Sequence, residues 1–321
     1  MKKQILLIFL LSIILMSQAQ VWNKLGNGLE SWNGPTVFCL KEIDSLLYIG
    51  GGFFAYGESI MKGIAIWNGN TIDTLPTLKG TRTGSPRSIV KFDGKIILGG
   101  TFNNIARTFY LNDTSAIPNT NAIASWDGVQ WASVGNGIAS GAVYILQHKN
   151  DLFVGGGFNS AGGLSGLNCM ARWDGSGWNS VGTGVFGDFS QVRAMAIFNN
   201  DLILGGYFIK AGGKPAYNIA GWDGTQYFDL DTGVLGDVYA MQVDSINNFI
   251  YVGGEIYHVG GDNGFFVNGN ILKWDGYTWD TVGINSVINN NGILSLTMYF
   301  NELYAGLFDI NDTYMGIQFC Y

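Results

Sequence analysis

An all-β fold, a six-bladed β-propeller of four-stranded antiparallel blades whose last blade is completed by the N-terminal strand, is predicted by three features of this sequence. An aromatic or aliphatic opening residue recurs at Trp22, Ile72, Trp131, Trp178, Tyr227 and Trp279, at steps of 50, 59, 47, 49 and 52 residues. A glycine pair ends an apolar run five times, at Gly50-Gly51, Gly99-Gly100, Gly155-Gly156, Gly205-Gly206 and Gly253-Gly254. A Trp-Asp-Gly or Trp-Asn-Gly phrase precedes the next opening residue, as at Trp126-Asp127-Gly128 and Trp67-Asn68-Gly69. Units of about 50 residues with four strand-like segments each belong to propeller blades.

The third unit shows the elements in order. A first strand covers Val143 to Leu146, and a second runs from Leu152 to Gly156. The second is apolar without alternation, which marks a strand covered on both faces, as every blade is by its two neighbours. Its closing glycines allow a close backbone approach where a Cβ would not fit. A third strand ends at Met170 to Trp173, and Asp174-Gly175 supplies the positive φ of a two-residue-type hairpin turn into the strand that opens at Trp178.

Counting strands gives the closure. The last unit offers strands near Ile293 to Met298, Leu303 to Phe308 and Gly316 to Tyr321, and then the sequence ends, one strand short. Val21 to Gly26 reads as a fourth strand with no first three before it. Pairing the two removes an exposed sheet edge.

An apolar strand ending in Gly-Gly, followed by an aromatic and then a Trp, as in Gly155-Gly156, Trp173 and Trp178, resembles the kelch-type repeat of galactose-oxidase-like propellers. The resemblance spans residues 20–321 and implies the propeller fold, in which the matching residues are structural. Trp173 stands where kelch repeats usually carry Tyr, and the aromatic spacing is one residue shorter. A copper site of the galactose oxidase kind needs more than one His and a modified Tyr-Cys pair. With His148 and His258 as the two histidines, no such metal site is visible and no cofactor is expected.

Lys2 and Lys3 followed by the apolar run Ile5 to Met16 and by Ser17-Gln18-Ala19 predict a cleavable signal peptide over residues 1–19. The first cysteine is Cys39, so the lipidated thiol of a bacterial lipoprotein is missing and the mature chain, residues 20–321, is expected as one domain outside the cytoplasm, without a membrane span. A net charge of −7 argues against nucleic acid or an anionic membrane as a partner, since both select clustered Lys and Arg. Cys39, Cys169 and Cys320 are an odd set, compatible with one disulfide and a free thiol or with none. Cys39 aligns with Ser88, Ile145, Ala194, Ala240 and Ser295 and reads as a small buried residue.

The turns between strands one and two, and three and four, are minimal and share one rim. The other rim carries the longer connections Asn103 to Asn121, Tyr257 to Gly269 and Pro76 to Ser85, where binding is expected. Arg82, Arg107, Tyr257 and His258 are its candidate binding residues, with Arg87 beside them in sequence. His148 ends a first strand and reads as a packing or capping residue. No Ser-His-Asp set, G-x-S-x-G elbow or helix-opening phosphate loop supports catalysis. The expectation is therefore a monomeric, non-catalytic module for a protein or glycan partner. The alternative, a carbohydrate-active enzyme, requires two carboxylates roughly 5 to 9.5 Å apart.

Overall fold

A computed structural model describes residues 28–30, 36–56, 59–61, 63–75, 78–79, 85–106, 116–139, 141, 143–260, 264–267, 270–282, 291–299, 301–309 and 317–320. The described residues form strands, turns and loops, with no helix among them. The signal segment and the strand expected at Val21 to Gly26 lie outside the described residues.

Among the described residues, six larger antiparallel sheets follow one another along the chain, with smaller two- and three-stranded sheets beside them. Sheet one contains Thr36–Ile43, Leu46–Gly52, Ile64–Trp67 and Ile72–Asp73; sheet two contains Ser85–Phe92, Lys95–Thr101, Ile123–Trp126 and Trp131–Ser133. Sheet three contains Val143–His148, Asp151–Gly156, Met170–Trp173 and Trp178–Ser180, and sheet four Gln191–Phe198, Asp201–Tyr207, Ile219–Trp222 and Tyr227–Phe228. Sheet five contains Val234–Asp244, Phe249–Val259, Ile271–Trp274 and Trp279–Thr281, with Phe265–Phe266 added to the end of its second strand. Sheet six has three strands, Asn291–Tyr299, Glu302–Asp309 and Ile317–Cys320.

The first strands pack one against the next from sheet one through sheet six. The core accordingly lies between sheets. Ile43 and Tyr48 meet Ile89 and Leu98 between sheets one and two, and Ala196 and Phe198 meet Val238 and Val252 between sheets four and five. Repeated sheets stacked face to face are the architecture of a β-propeller.

The glycine pairs serve this packing in two directions. A Cβ on the first glycine would strike the next sheet: from Gly155 it would lie 2.6 Å from Val192 Cγ1, from Gly205 2.4 Å from Val238 Cγ1, and from Gly253 2.6 Å from Ile293 Cγ2. A Cβ on the second would strike its own first strand, 2.1 Å from the Gln191 carbonyl oxygen at Gly206 and 1.9 Å from that of Asp237 at Gly254.

That second approach occurs where the first strand carries a β-bulge, between Val37 and Cys39, Pro86 and Ser88, Val192 and Ala194, and Val238 and Ala240; sheet six has the bulge between Ile293 and Ser295 with Leu307 in place of the second glycine. Sheet three lacks the bulge, so Tyr144, not Ile145, sits opposite its first glycine, Gly155. The sequence alignment of Ile145 with Cys39 is therefore one residue out.

Two expectations about connections are corrected. The turn after the third strand has four residues, because Trp126 pairs with Trp131 and Trp173 with Trp178. The Asp opens it and caps it: Asp127 Oδ1 accepts the N–H groups of Val129 and Gln130, each at 2.8 Å, and Asp223 Oδ1 those of Thr225 at 2.7 Å and Gln226 at 2.9 Å. The glycine does take the expected positive φ, 100° at Gly128 and 101° at Gly224.

The second-to-third connections are also not free loops. Short hairpins occupy them, Ala55–Tyr56 with Ser59–Ile60, Ser160–Ala161 with Leu164–Ser165 and Lys210–Ala211 with Lys214–Pro215. The connection holding Tyr257 is an ordinary member of this set, and only that of sheet two, residues 102–122, is much longer.

Candidate functional site

Of the residues expected to bind, Arg82 and Arg107 lie outside the described residues. Tyr257 and His258 do not sit in a loop. They extend the strand Phe249–Val259, where His258 pairs with Leu235 on one side and Phe266 on the other. Leu235 pairs with His258 and Gly236 with Ile256, so Tyr257 is the extra residue of a β-bulge. Tyr257 is 58% exposed, whereas His258 is half-buried, its ring edge-on to Phe266 at 5.1 Å and its Nδ1 buried without a hydrogen-bond partner.

The polar groups that do converge lie on the first strands, at the extra residue of each bulge. A bulge re-aims one side chain off the strand's alternation. The extra residues are Phe38, Arg87, Arg193, Tyr239 and Leu294, each immediately before the small residue recognised in the sequence as aligned with Cys39. That neighbour was the signal from which the cluster could have been found. Thr36 pairs with Gly52 and Ser85 with Thr101, so the strands begin on the rim of the longer connections.

Two arginines of this set meet different partners. The Arg193 guanidinium forms an ion pair with Asp237 and lies 5.0 Å from the centre of the Tyr239 ring. Tyr239 donates its hydroxyl to Asp237 at 3.2 Å. Burial, reinforced by the charges of Asp237 and Glu255, pushes the Tyr239 hydroxyl up to about 12, so it stays a donor at neutral pH.

Arg87 instead lies 4.4 Å from the Phe38 ring centre and donates from Nη1 to the Tyr144 hydroxyl at 3.4 Å. Its Nε is buried with no hydrogen-bond partner, and no carboxylate pairs with it among the described residues. A guanidinium held by aromatic rings with open donors is suited to an anionic or carbonyl-bearing group.

No family model matches this chain, and no curated protein matches it. A solved structure titled "YCF48 bound to D1 peptide" is similar at 12% sequence identity and a TM-score of 0.47, over 85% of this chain and 75% of that one. A likeness at that level carries no functional conclusion.

The thiols occupy structural places. Cys39 is half-buried rather than buried, yet its sulfur is enclosed: Sγ lies 3.8 Å from the Pro86 carbonyl oxygen and burial pushes the thiol up to about 12. Cys169 is buried, its Sγ 3.0 Å from the Ser190 carbonyl oxygen, and burial raises it also. Both are free; the Cys320 side chain lies outside the described residues.

A raised thiol pKa leaves little thiolate at pH 8. Cys39 and Cys169 are thus expected to resist iodoacetamide in the native protein at pH 8 and to be alkylated after denaturation. Changing all three cysteines to Ser or Ala should leave a folded monomer. Rapid native labelling of Cys39, read by mass spectrometry, would contradict this placement.

Proposed function

We propose that this chain is an exported, non-catalytic recognition module, a closed ring of six kelch-type blades that binds a protein or glycan through an anionic group on its axial face. The closed ring is supported by contacts at both ends of the array. Val143, Val192, Val238 and Ile293 each fill the same position of a first strand and are buried against the preceding sheet. The counterpart on sheet one, Val37, is 43% exposed, and among the described residues a Cβ on Gly306 of sheet six would meet only Ser295 of its own sheet. Each end of the array lacks what the other offers.

The N-terminal strand has its own support. Glu30 bridges to Ala55 as Ile138 bridges to Ala161. Ile138 follows the fourth strand of sheet two and docks on the hairpin of sheet three, so Glu30 stands where a chain leaving a preceding fourth strand would dock on sheet one. In the ring, that preceding sheet is sheet six, and Val21 to Gly26 becomes its fourth strand.

The observation that carries the function is the open guanidinium of Arg87 between Phe38 and Tyr144. A buried donor left without a partner costs roughly 1 to 3 kcal/mol, a cost that a ligand can relieve. In this reading Arg82 and Arg107 flank Arg87 on the rim, and Tyr257 and His258 stand farther round it.

The test is a screen of purified glycans and extracellular proteins against the wild type, repeated with Arg87→Gln and with a shortened Asn103 to Asn121 connection. Affinity is expected to fall about tenfold or more for Arg87→Gln. Binding that survives both changes but disappears when the short turns of the opposite rim are altered would place the site elsewhere.

A second reading, a carbohydrate-active enzyme, draws on Asp237 lying opposite Glu255 in strand register. It requires bond cleavage that Asp237→Asn abolishes, whereas the recognition reading requires bound glycans to be recovered intact.

A further inference from the structure

We propose that the cleft between sheets three and four, on the rim of the short turns, is a binding subsite for one saccharide unit. It is separate from the Arg87 cluster and does not depend on it. The cleft has a volume of about 300 Å³, the lower end of what small-ligand sites enclose. His148, Lys149, Asp151 and Arg172 of sheet three line it, facing Asn200 and Trp222 of sheet four.

The repeats provide the reference against which these residues stand out. Strand register puts His148 in the place of Ile43, Phe92, Phe198, Asp244 and Tyr299. Arg172 stands in the place of Ile66, Ser125, Gly221 and Lys273. Only sheet three combines a histidine with an arginine at these positions, so the blade fold does not require the pair. Asp151 pairs with Arg172 at 2.9 Å, with the two side chains 22% and 38% exposed, so the guanidinium is fixed in direction and still reachable from solvent.

The chemistry suits a hydroxylated ring. Burial, and then the nearby Lys149 ammonium, lowers His148 from its usual value, so at neutral pH the imidazole is uncharged and offers one donor and one acceptor. Lys149 has no carboxylate partner among the described residues. Ring nitrogen, ammonium, guanidinium, carboxylate and amide then present donors and acceptors to adjacent hydroxyls, beside the partly exposed indole of Trp222 as an apolar surface. An extended apolar side chain would leave these groups unpaired, which disfavours an apolar peptide as occupant.

The experiment uses the sister repeats as its source of folded variants. His148→Phe places there the residue of sheets two and four, and Arg172→Ser the residue of sheet two. Saturation-transfer NMR with methyl glycosides of glucose, galactose, N-acetylglucosamine and galacturonic acid is expected to detect at least one bound sugar in the wild type. The double variant should bind that sugar about tenfold or more weakly while melting within a few degrees of the wild type. Absence of transfer to all four glycosides at tens of millimolar, or undiminished binding by the folded double variant, overturns the proposal. If the double variant fails to fold, Lys149→Ala and Asn200→Ala at the exposed edge of the cleft give the same reading.

Discussion

Gly51→Ala is expected to cost about 3 kcal/mol or more of stability, whereas Gly52→Ala, one residue on, should be neutral or stabilising by up to about 1 kcal/mol. The Cβ of an alanine at 51 would lie 2.1 Å from the Thr36 carbonyl oxygen and 3.0 Å from the Val37 Cα, both backbone atoms of the paired first strand. They cannot move without unpairing the bulge. At 52 nothing lies closer than 3.7 Å. Against a total of about 5 to 15 kcal/mol the first loss is severe. Urea denaturation of the two variants measures the difference, and equal midpoints would show that the bulge yields. Gly206→Ala and Gly254→Ala should behave like Gly51→Ala, for the same backbone reason.

The second large effect concerns ring closure. Trp178 and Trp279 open fourth strands, and each donates its indole N–H at 2.9 Å to a carbonyl just beyond the fourth strand of the preceding sheet, Gly135 and Leu230 respectively. Trp22 is proposed to do the same in sheet six, with Val282, the counterpart of Leu230, as acceptor. Burying an indole removes roughly 200 Å² from water, so Trp22→Ala should cost about 3 to 5 kcal/mol. A chain beginning at Asn27 should lose more, because the whole edge is exposed. Were that chain to melt at the temperature of the mature protein, the fourth strand of sheet six would have to come from elsewhere.

The parts of the fold that depend on local spacing were legible in the sequence. The glycine pairs, the apolar second strands and the Trp-Asp-Gly turns are set within ten or so residues, and the structure has them where the pattern put them. What depends on contacts between repeats was not legible. Periodicity cannot say where an edge strand stops, so Tyr257 and His258 read as loop although pairing with Leu235 and Phe266 keeps them in a strand. The Asp caps lengthen each turn from two residues to four, a choice made by side-chain acceptors that the Asp-Gly phrase alone does not reveal. The Arg87 and Arg193 clusters need a bulge on one sheet and an aromatic on another, some fifty residues away in the chain. His148 does end its strand beside Phe153, as the sequence suggested, but the cleft it lines was not legible because its sheet-four wall belongs to the next repeat.

The one-way fit of the first glycine against the following sheet gives any incomplete array two different ends. A piece stopping after sheet three would expose the bare backbone at Gly155, and a piece starting at sheet four would expose Val192, which belongs there. Like ends do not match; unlike ends do. Fragments should therefore recognise one another head to tail, and an intact chain whose two ends failed to find each other could join a second copy by the same fit, growing as an open string where closure would have ended it.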